Sequence, residues 1–161
     1  MRHLILLLLS STLLRATPPE PTATPVSDRD QVLQVVQSFF NALAKHDGEA
    51  LRVLAPAGGQ ITVAPVPEMN RALRRRSTED DAENIKKSTE AWLERMWNPM
   101  VLIEGRIAVV WTPYDFHRNG KFSHNGIDVF TLMKLDDGWK IVGAAYTVEP
   151  AGPTKNPAGP P

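Results

Sequence analysis

Seven polar or amphipathic side chains in the second half of the chain are of types that do chemistry: Glu94, Asn98, Trp111, Asp115, His124, Asp128 and Thr147. Asp128 is the sharpest. It lies between Gly126 and Phe130 in an alternating run, so its face becomes core. A carboxyl removed from water has a raised pKa and approaches the range useful for proton transfer. His124 set opposite Asp115 would form an oriented acid/base pair, the carboxylate fixing the tautomer and favouring the charged imidazole. The plainer readings are structural. Asp128 would be satisfied by Thr147, the Trp111 indole or Asn98, and His124–Asp115 would be a cross-strand pair worth roughly 0.2–1 kcal/mol. His124 and Asp128 are four positions apart, roughly 13 Å along a regular strand, and make no direct dyad unless Gly126 bulges. No histidine pair has helical metal-ligand spacing, and no metal or cofactor is expected.

These side chains converge only if the strands carrying them are in register. Glu90 to Glu149 reads as four strands hinged at Glu104-Gly105, Asn119-Gly120 and Asp137-Gly138. Such dipeptides suit tight hairpin turns with positive φ. With two-residue loops at all three, Asp115 faces His124, Trp111 faces Asp128, Glu94 faces Asp115, Asn98 faces Trp111, and Thr147 faces Asp128. All then share one face. Its apolar end carries Met100, Leu102, Ile107, Val109, Phe130, Leu132 and Ile141. The opposite face carries Trp97, Val101, Ile103, Val110, Tyr114, Phe116, Ile127, Val129, Met133, Val142, Tyr146 and Val148. That face is too apolar to meet water, so a homodimer through it is expected.

The elements before the sheet supply a cover. Ser27 and Asp30 read as a capping pair for a helix from Asp28 to Lys45, with Val32, Val35, Val36, Phe39, Phe40 and Leu43 on one stripe. Asp47 caps a short helix bearing Leu51 and Leu54. Ile61 and Val63 alternate in a short strand. Thr78 is the expected cap of a third helix reaching about Lys87. Ala91 to Trp97 fits a helix or a strand, and the strand completes the meander. The fold class is α+β, a curved, cone-shaped antiparallel meander covered by N-terminal helices.

The chain has 161 residues, enough for one domain, here Asp28–Glu149. Met1-Arg2-His3 followed by Leu4–Leu9 has the layout of a signal peptide over residues 1–16, with cleavage after Ala16 or after Ala23 and a periplasmic or secreted product. The apolar run falls short of the ~20 residues of a membrane span, so no stable insertion follows cleavage. Residues 17–27 are a Pro-rich linker, and 150–161 a Pro/Gly-rich disordered tail. Losing Arg2 and Arg15 from 18 basic residues against 18 acidic ones leaves a net charge of about −2, which gives no attraction to nucleic acid. Arg71 and Arg74–Arg76 are followed at once by Glu79, Asp80, Asp81 and Glu83, so the two runs are expected to neutralise each other. There is no cysteine, so an exported product relies on its core.

The runs Trp111-Thr112-Pro113-Tyr114-Asp115-Phe116, His124-Asn125-Gly126-Ile127-Asp128-Val129-Phe130 and Gly138-Trp139-Lys140-Ile141 resemble exported bacterial members of the nuclear transport factor 2-like superfamily, the SnoaL-like or lumazine-binding-like branch. The resemblance spans about Asp28 to Glu149. It implies a helix-covered cone, and it implies His124 and Asp128 as the polar pair on the central strands. The superfamily includes ketosteroid isomerases, polyketide cyclases, dehydratases, epoxide hydrolases and non-enzymatic modules, so fold alone chooses none of them. The isomerases' catalytic aspartate on the strand after the second helix has no counterpart in Gln60–Pro65. Two readings therefore stand. One is a cone binding a small, largely apolar molecule, with cofactor-free acid/base chemistry by Asp128 and His124. The other is a non-catalytic interaction module of the cell envelope.

Overall fold

The computed structural model describes residues 26–65, 70–150 and 155–161. The signal-peptide expectation and nearly all of the linker lie outside the described residues. Helix α1 spans Asp28–Lys45; Ser27 caps it by accepting from the Asp30 N–H. Helix α2 spans Gly48–Leu54, capped by Asp47 through the Ala50 N–H. Strand β1 is Gln60–Pro65 and β2 is Arg74–Ser77. Helix α3, Thr78–Ile85, is capped by Ser77, one residue before the expected Thr78. Thr78 instead is buried, and its hydroxyl donates to the Pro56 carbonyl. Strands β3 (Trp92–Met96), β4 (Met100–Glu104), β5 (Ile107–Arg118), β6 (Lys121–Leu135) and β7 (Gly138–Val148) follow. The strand reading of Ala91–Trp97 thus holds.

One seven-stranded sheet runs β2-β1-β7-β6-β5-β3, with β4 also paired to β5 beyond the end of β3. The meander β4 to β7 is antiparallel, whereas β1 joins β7 in parallel. The helices lie on the concave face. Val32, Val36, Phe39 and Phe40 of α1 pack with Val110, Phe130, Leu132 and Ile141 of the sheet in one buried cluster. Phe39 and Phe40 both meet the Phe130 ring edge-on, with centroids 5.6 and 5.8 Å away. Each such pair adds about 0.5–1.5 kcal/mol to the burial itself.

Register is where the expected faces change. Asn119-Gly120 is a two-residue turn, with Arg118 paired to Lys121. Ser123 then bulges: His117 pairs with Phe122 but Phe116 pairs with His124. From there Asp115 faces Asn125, Thr112 faces Asp128 and Trp111 faces Val129. The other two hairpins turn at Gly105-Arg106 and Asp136-Asp137, each one place from expectation, because Glu104 pairs with Ile107 and Leu135 with Gly138. A second bulge leaves Val142 unpaired and sets Asp128 opposite Tyr146 rather than Thr147. Moving a two-residue turn by one place shifts each pair by two residues and keeps the faces, whereas each bulge is a one-residue slip that sends the residues beyond it to the other face.

The concave face therefore carries Ala108, Val110, Thr112, Tyr114 and Phe116 from β5, all expected outside or unassigned, and all buried. Val101 and Ile103, paired with Val110 and Ala108, join them. Met100, Leu102, Ile107 and Trp111, expected inside, are exposed on the convex face with Met133. Tyr146 turns inward against Tyr114, ring centroids 6.1 Å apart. The bulges and the break at Trp97–Pro99, where Asn98 takes a φ of 47°, give the sheet its curl.

Candidate functional site

A cavity of about 540 Å³ lies between the concave face and the helices. Phe39 and Leu43 of α1, Ile61 of β1, Ile85 of α3 and Phe130 of β6 form its apolar walls. Its polar groups come from two sides: β2, α3 and the segment before β2 supply Arg71, Arg74, Arg76, Asp81 and Asn84, and the strands β3, β5, β6 and β7 supply the rest. Glu94 of β3, His124 and Asp128 of β6, and Tyr114 and Tyr146 all line it, with Trp92 and Phe116 beside them. Glu94 reaches this face because it pairs with Phe116, an inward residue. A volume of this size, mostly apolar with a few convergent polar groups, is that of a small-molecule site.

Asp128 and Glu94 face each other across the cavity wall within hydrogen-bonding reach. Asp128 is 3 % exposed. Glu94 is half-buried, enclosed by protein but opening to the hollow. If both were ionised, neither could donate to the other, and Asp128 Oδ2 would remain a buried acceptor without a partner. Protonation removes that defect and the repulsion together. Burial, first of all, pushes the Glu94 carboxyl up to about 8. Burial also raises Asp128 far above the usual carboxylate range, with the Glu94 charge and hydrogen bond adding to it. Such a pair titrates as a unit, and near neutral pH it can donate a hydrogen bond or a proton.

The other cavity groups are tuned by the same burial. His124 lies against Tyr114 and Phe116, with centroids at 5.8 and 5.1 Å, and its Nδ1 is 3.0 Å from Ser123 Oγ. Burial and then the nearby Arg118 push its imidazole down to about 4. It is thus a neutral acceptor or donor, not the charged imidazole expected from an Asp115 pairing. Burial also raises Tyr114, whose hydroxyl donates to the Thr147 carbonyl at 2.7 Å. Arg76 ion-pairs with the buried Asp81 and donates to the Tyr146 hydroxyl at 3.2 Å.

Of the seven residues singled out in the sequence, Glu94, His124 and Asp128 meet in the cavity. Trp111 does not: it is 38 % exposed on the convex face. Asn98 sits at the β3–β4 break, exposed. Asp115 points outward, held by Arg95 through two contacts of 2.9 and 2.5 Å and lying 3.4 Å from His117 Nε2. The Arg95 Nη2 also donates to the carbonyl of Gly159 in the C-terminal tail. Thr147 tethers strands, its Oγ1 accepting from the Ile127 N–H while its carbonyl holds Tyr114. The backbone approach there is close: a Cβ on Gly126 would sit 2.4 Å from the Thr147 carbonyl oxygen.

Sequence reading missed Tyr114, Tyr146, Phe116, Arg76 and Asp81. The first three were carried outward by the register slips. Arg76 and Asp81 were read as part of a solvated charge run. The signal that separates them is the Asp81/Ala82/Ile85 spacing, which places Asp81 on the buried side of α3. Among the described residues, no three His, Cys, Asp or Glu side chains group to hold a metal ion.

A carboxyl whose folded pKa is raised binds more protons in the folded state between its unfolded and folded values. The pair's contribution to stability therefore falls as pH rises from about 4.5 towards about 8. His124 acts in the opposite sense: its contribution, present above about 6.5, is lost as pH falls towards about 4. Comparing Glu94→Gln with the parent cancels the histidine. By chemical denaturation the variant should match the parent near pH 5 and exceed it at pH 8 by about 1–3 kcal/mol. Parallel pH profiles would show that Glu94 does not retain its proton in the folded protein.

Comparison with known proteins agrees with this geometry. The family model described as "Putative lumazine-binding" matches residues 27–147. A comparison with curated protein sequences found none that matches. Solved structures match at fold level. An NTF2-like protein from Cytophaga hutchinsonii has a TM-score of 0.66 at 15 % identity, covering 76 % of this chain and 99 % of its own. A Streptomyces avermitilis structure, described as a "putative dehydratase from the NTF2-like family", has a TM-score of 0.61 at 16 % identity, covering 75 % and 95 %. An NTF2-like superfamily protein from Salmonella enterica has a TM-score of 0.61 at 17 % identity, covering 81 % and 96 %. With the helix-covered sheet, its cavity and a family match over most of the chain, this protein belongs to the lumazine-binding family of NTF2-like domains.

Proposed function

We propose that the domain binds a small, largely apolar ring-shaped molecule in this cavity, and that the Glu94–Asp128 pair exchanges a proton with it. The observation that carries the reading is the placement of that pair at the inner end of a hollow lined by Phe39, Phe116 and Phe130. Buried, protonated carboxyls hydrogen-bond to a carbonyl or ring nitrogen and then take up or release a proton with little reorganisation. This chemistry serves isomerisation, cyclisation, dehydration or water addition without a cofactor. A pteridine-dione such as lumazine, which the family description names, offers both ring faces for stacking and carbonyl groups for the acids. His124, neutral, would position the ligand rather than carry charge. The leader favours a periplasmic or secreted site of action.

Thermal-shift screening of the full chain against ring-shaped metabolites, lumazine among them, should find a stabilising ligand. Ala144→Phe, which fills the cavity, should abolish the shift. Asp128→Asn should retain binding but lower any turnover of that ligand by about 10²–10⁴-fold. A shift that survives Ala144→Phe, or a turnover indifferent to Asp128→Asn, would contradict the assignment.

The convex face supports a partner as well. Met100, Leu102, Ile107, Trp111 and Met133 are exposed together across β4, β5 and β6, an apolar area that water disfavours. A homodimer through this face is proposed. Leu102→Glu should convert a dimer to a monomer in light scattering, and a parent that runs as a monomer at high concentration would refute it.

A further inference from the structure

The solvent-facing end of the cavity is basic. Arg71, Arg74 and Arg118 line it, and all three are exposed, while Asp128, Ile61 and Phe130 at the inner end are buried. The ion pairs of this end are Arg76–Asp81 and Arg118–Glu90. The second spans 3.7 Å between exposed groups and is largely screened. Among the described residues, Arg71 and Arg74 belong to no ion pair. The excess is local, since the chain as a whole carries as many acidic as basic residues. Among the described residues, the other acids lining the cavity are the inner pair, whose retained protons give the arginine end no compensating charge.

Guanidinium groups around the opening of an apolar cavity select for a ligand whose protruding end is an anion. Their forked donors match a planar or tetrahedral oxyanion. We infer that the molecule bound here is amphipathic: an apolar ring system seated against Phe39, Phe116 and Phe130, ending in a carboxylate, sulfonate or phosphate held by Arg71, Arg74 and Arg118. This rests on the cavity-binding reading above and narrows it to organic anions. It also assigns the basic run, read from sequence as neutralised by the acids after it, a divided role. Arg76 is paired internally, whereas Arg71 and Arg74 face the ligand.

Two fluorescent probes of nearly the same shape separate the charge from the ring. 1-Anilinonaphthalene-8-sulfonate carries the anion, and N-phenyl-1-naphthylamine lacks it. Both are titrated into the full chain and into Ala144→Phe, and the difference reports cavity binding free of any contribution from the convex face. The expected result is at least tenfold tighter cavity binding of the sulfonate, weakening as salt is raised. In the triple variant Arg71→Gln/Arg74→Gln/Arg118→Gln, the ratio of the two affinities should fall to near one, with an unchanged melting midpoint showing that the fold persists. Equal affinities in the parent, or a ratio that the triple variant leaves intact, would overturn the anion preference and leave the apolar-cavity reading standing. Failure of both probes to distinguish the parent from Ala144→Phe would overturn both.

Discussion

Two carboxyl groups buried side by side cannot both ionise at neutral pH. Glu94 and Asp128 come from different strands, β3 and β6, with β5 between them. Neither has a cation of its own within ion-pair distance among the described residues, whereas Asp81 and Asp115 are answered by Arg76 and Arg95. Burial against the aromatic wall therefore decides their state, and the state is protonated. A neutral carboxyl pair at the inner end of an otherwise apolar hollow, with protons still to give, is the feature on which the proposed proton exchange rests.

The rest of the fold holds that pair in place. Phe39, Phe40 and Phe130 lock α1 onto the sheet below it, so the apolar end is rigid. Above it, Tyr114 spans from β5 to the Thr147 carbonyl of β7, and Gly126 lets the backbones approach closely enough for that bond. The bulge at Ser123 sets the phase of the outer turns of β5 and β6, bringing His124 inward against two aromatic rings. The same aromatic enclosure that depresses the histidine raises the carboxyls: both are forms of one preference for uncharged groups in a poorly hydrated hollow.

Much of the fold was legible because it rests on local signals. Caps at Ser27 and Asp47, the α1 stripe and the Asn119-Gly120 turn all act over a few residues, and all stand as read. The phase of β6 was legible too, since Asp128, Phe130 and Leu132 alternate within one strand. Cross-strand positions were not. Ser123 bulges with no glycine or proline beside it, the Val142 bulge is marked only by the neighbouring Gly143, and the Gly105 and Gly138 turns each lie one residue from the obvious dipeptide. Trp111, Asp115, Asn98 and Thr147 were misplaced as a result. Glu94 reached its true face only because two one-residue slips, the Ser123 bulge and the break at Trp97–Pro99, cancel. The Arg76–Asp81 pair left only the Asp81/Ala82/Ile85 spacing as a local trace, since its burial depends on how α3 packs.

Carboxyl ¹³C NMR across a pH titration of the protein labelled at Asp and Glu tests the retained protons most directly. The account predicts that one side-chain carboxyl titrates near 8, that its coupled partner stays protonated at neutral pH, and that both signals are altered by Asp128→Asn. If the Glu94 and Asp128 resonances instead move together near pH 4, as exposed carboxyls do, the pair is ionised in the folded protein and the account fails.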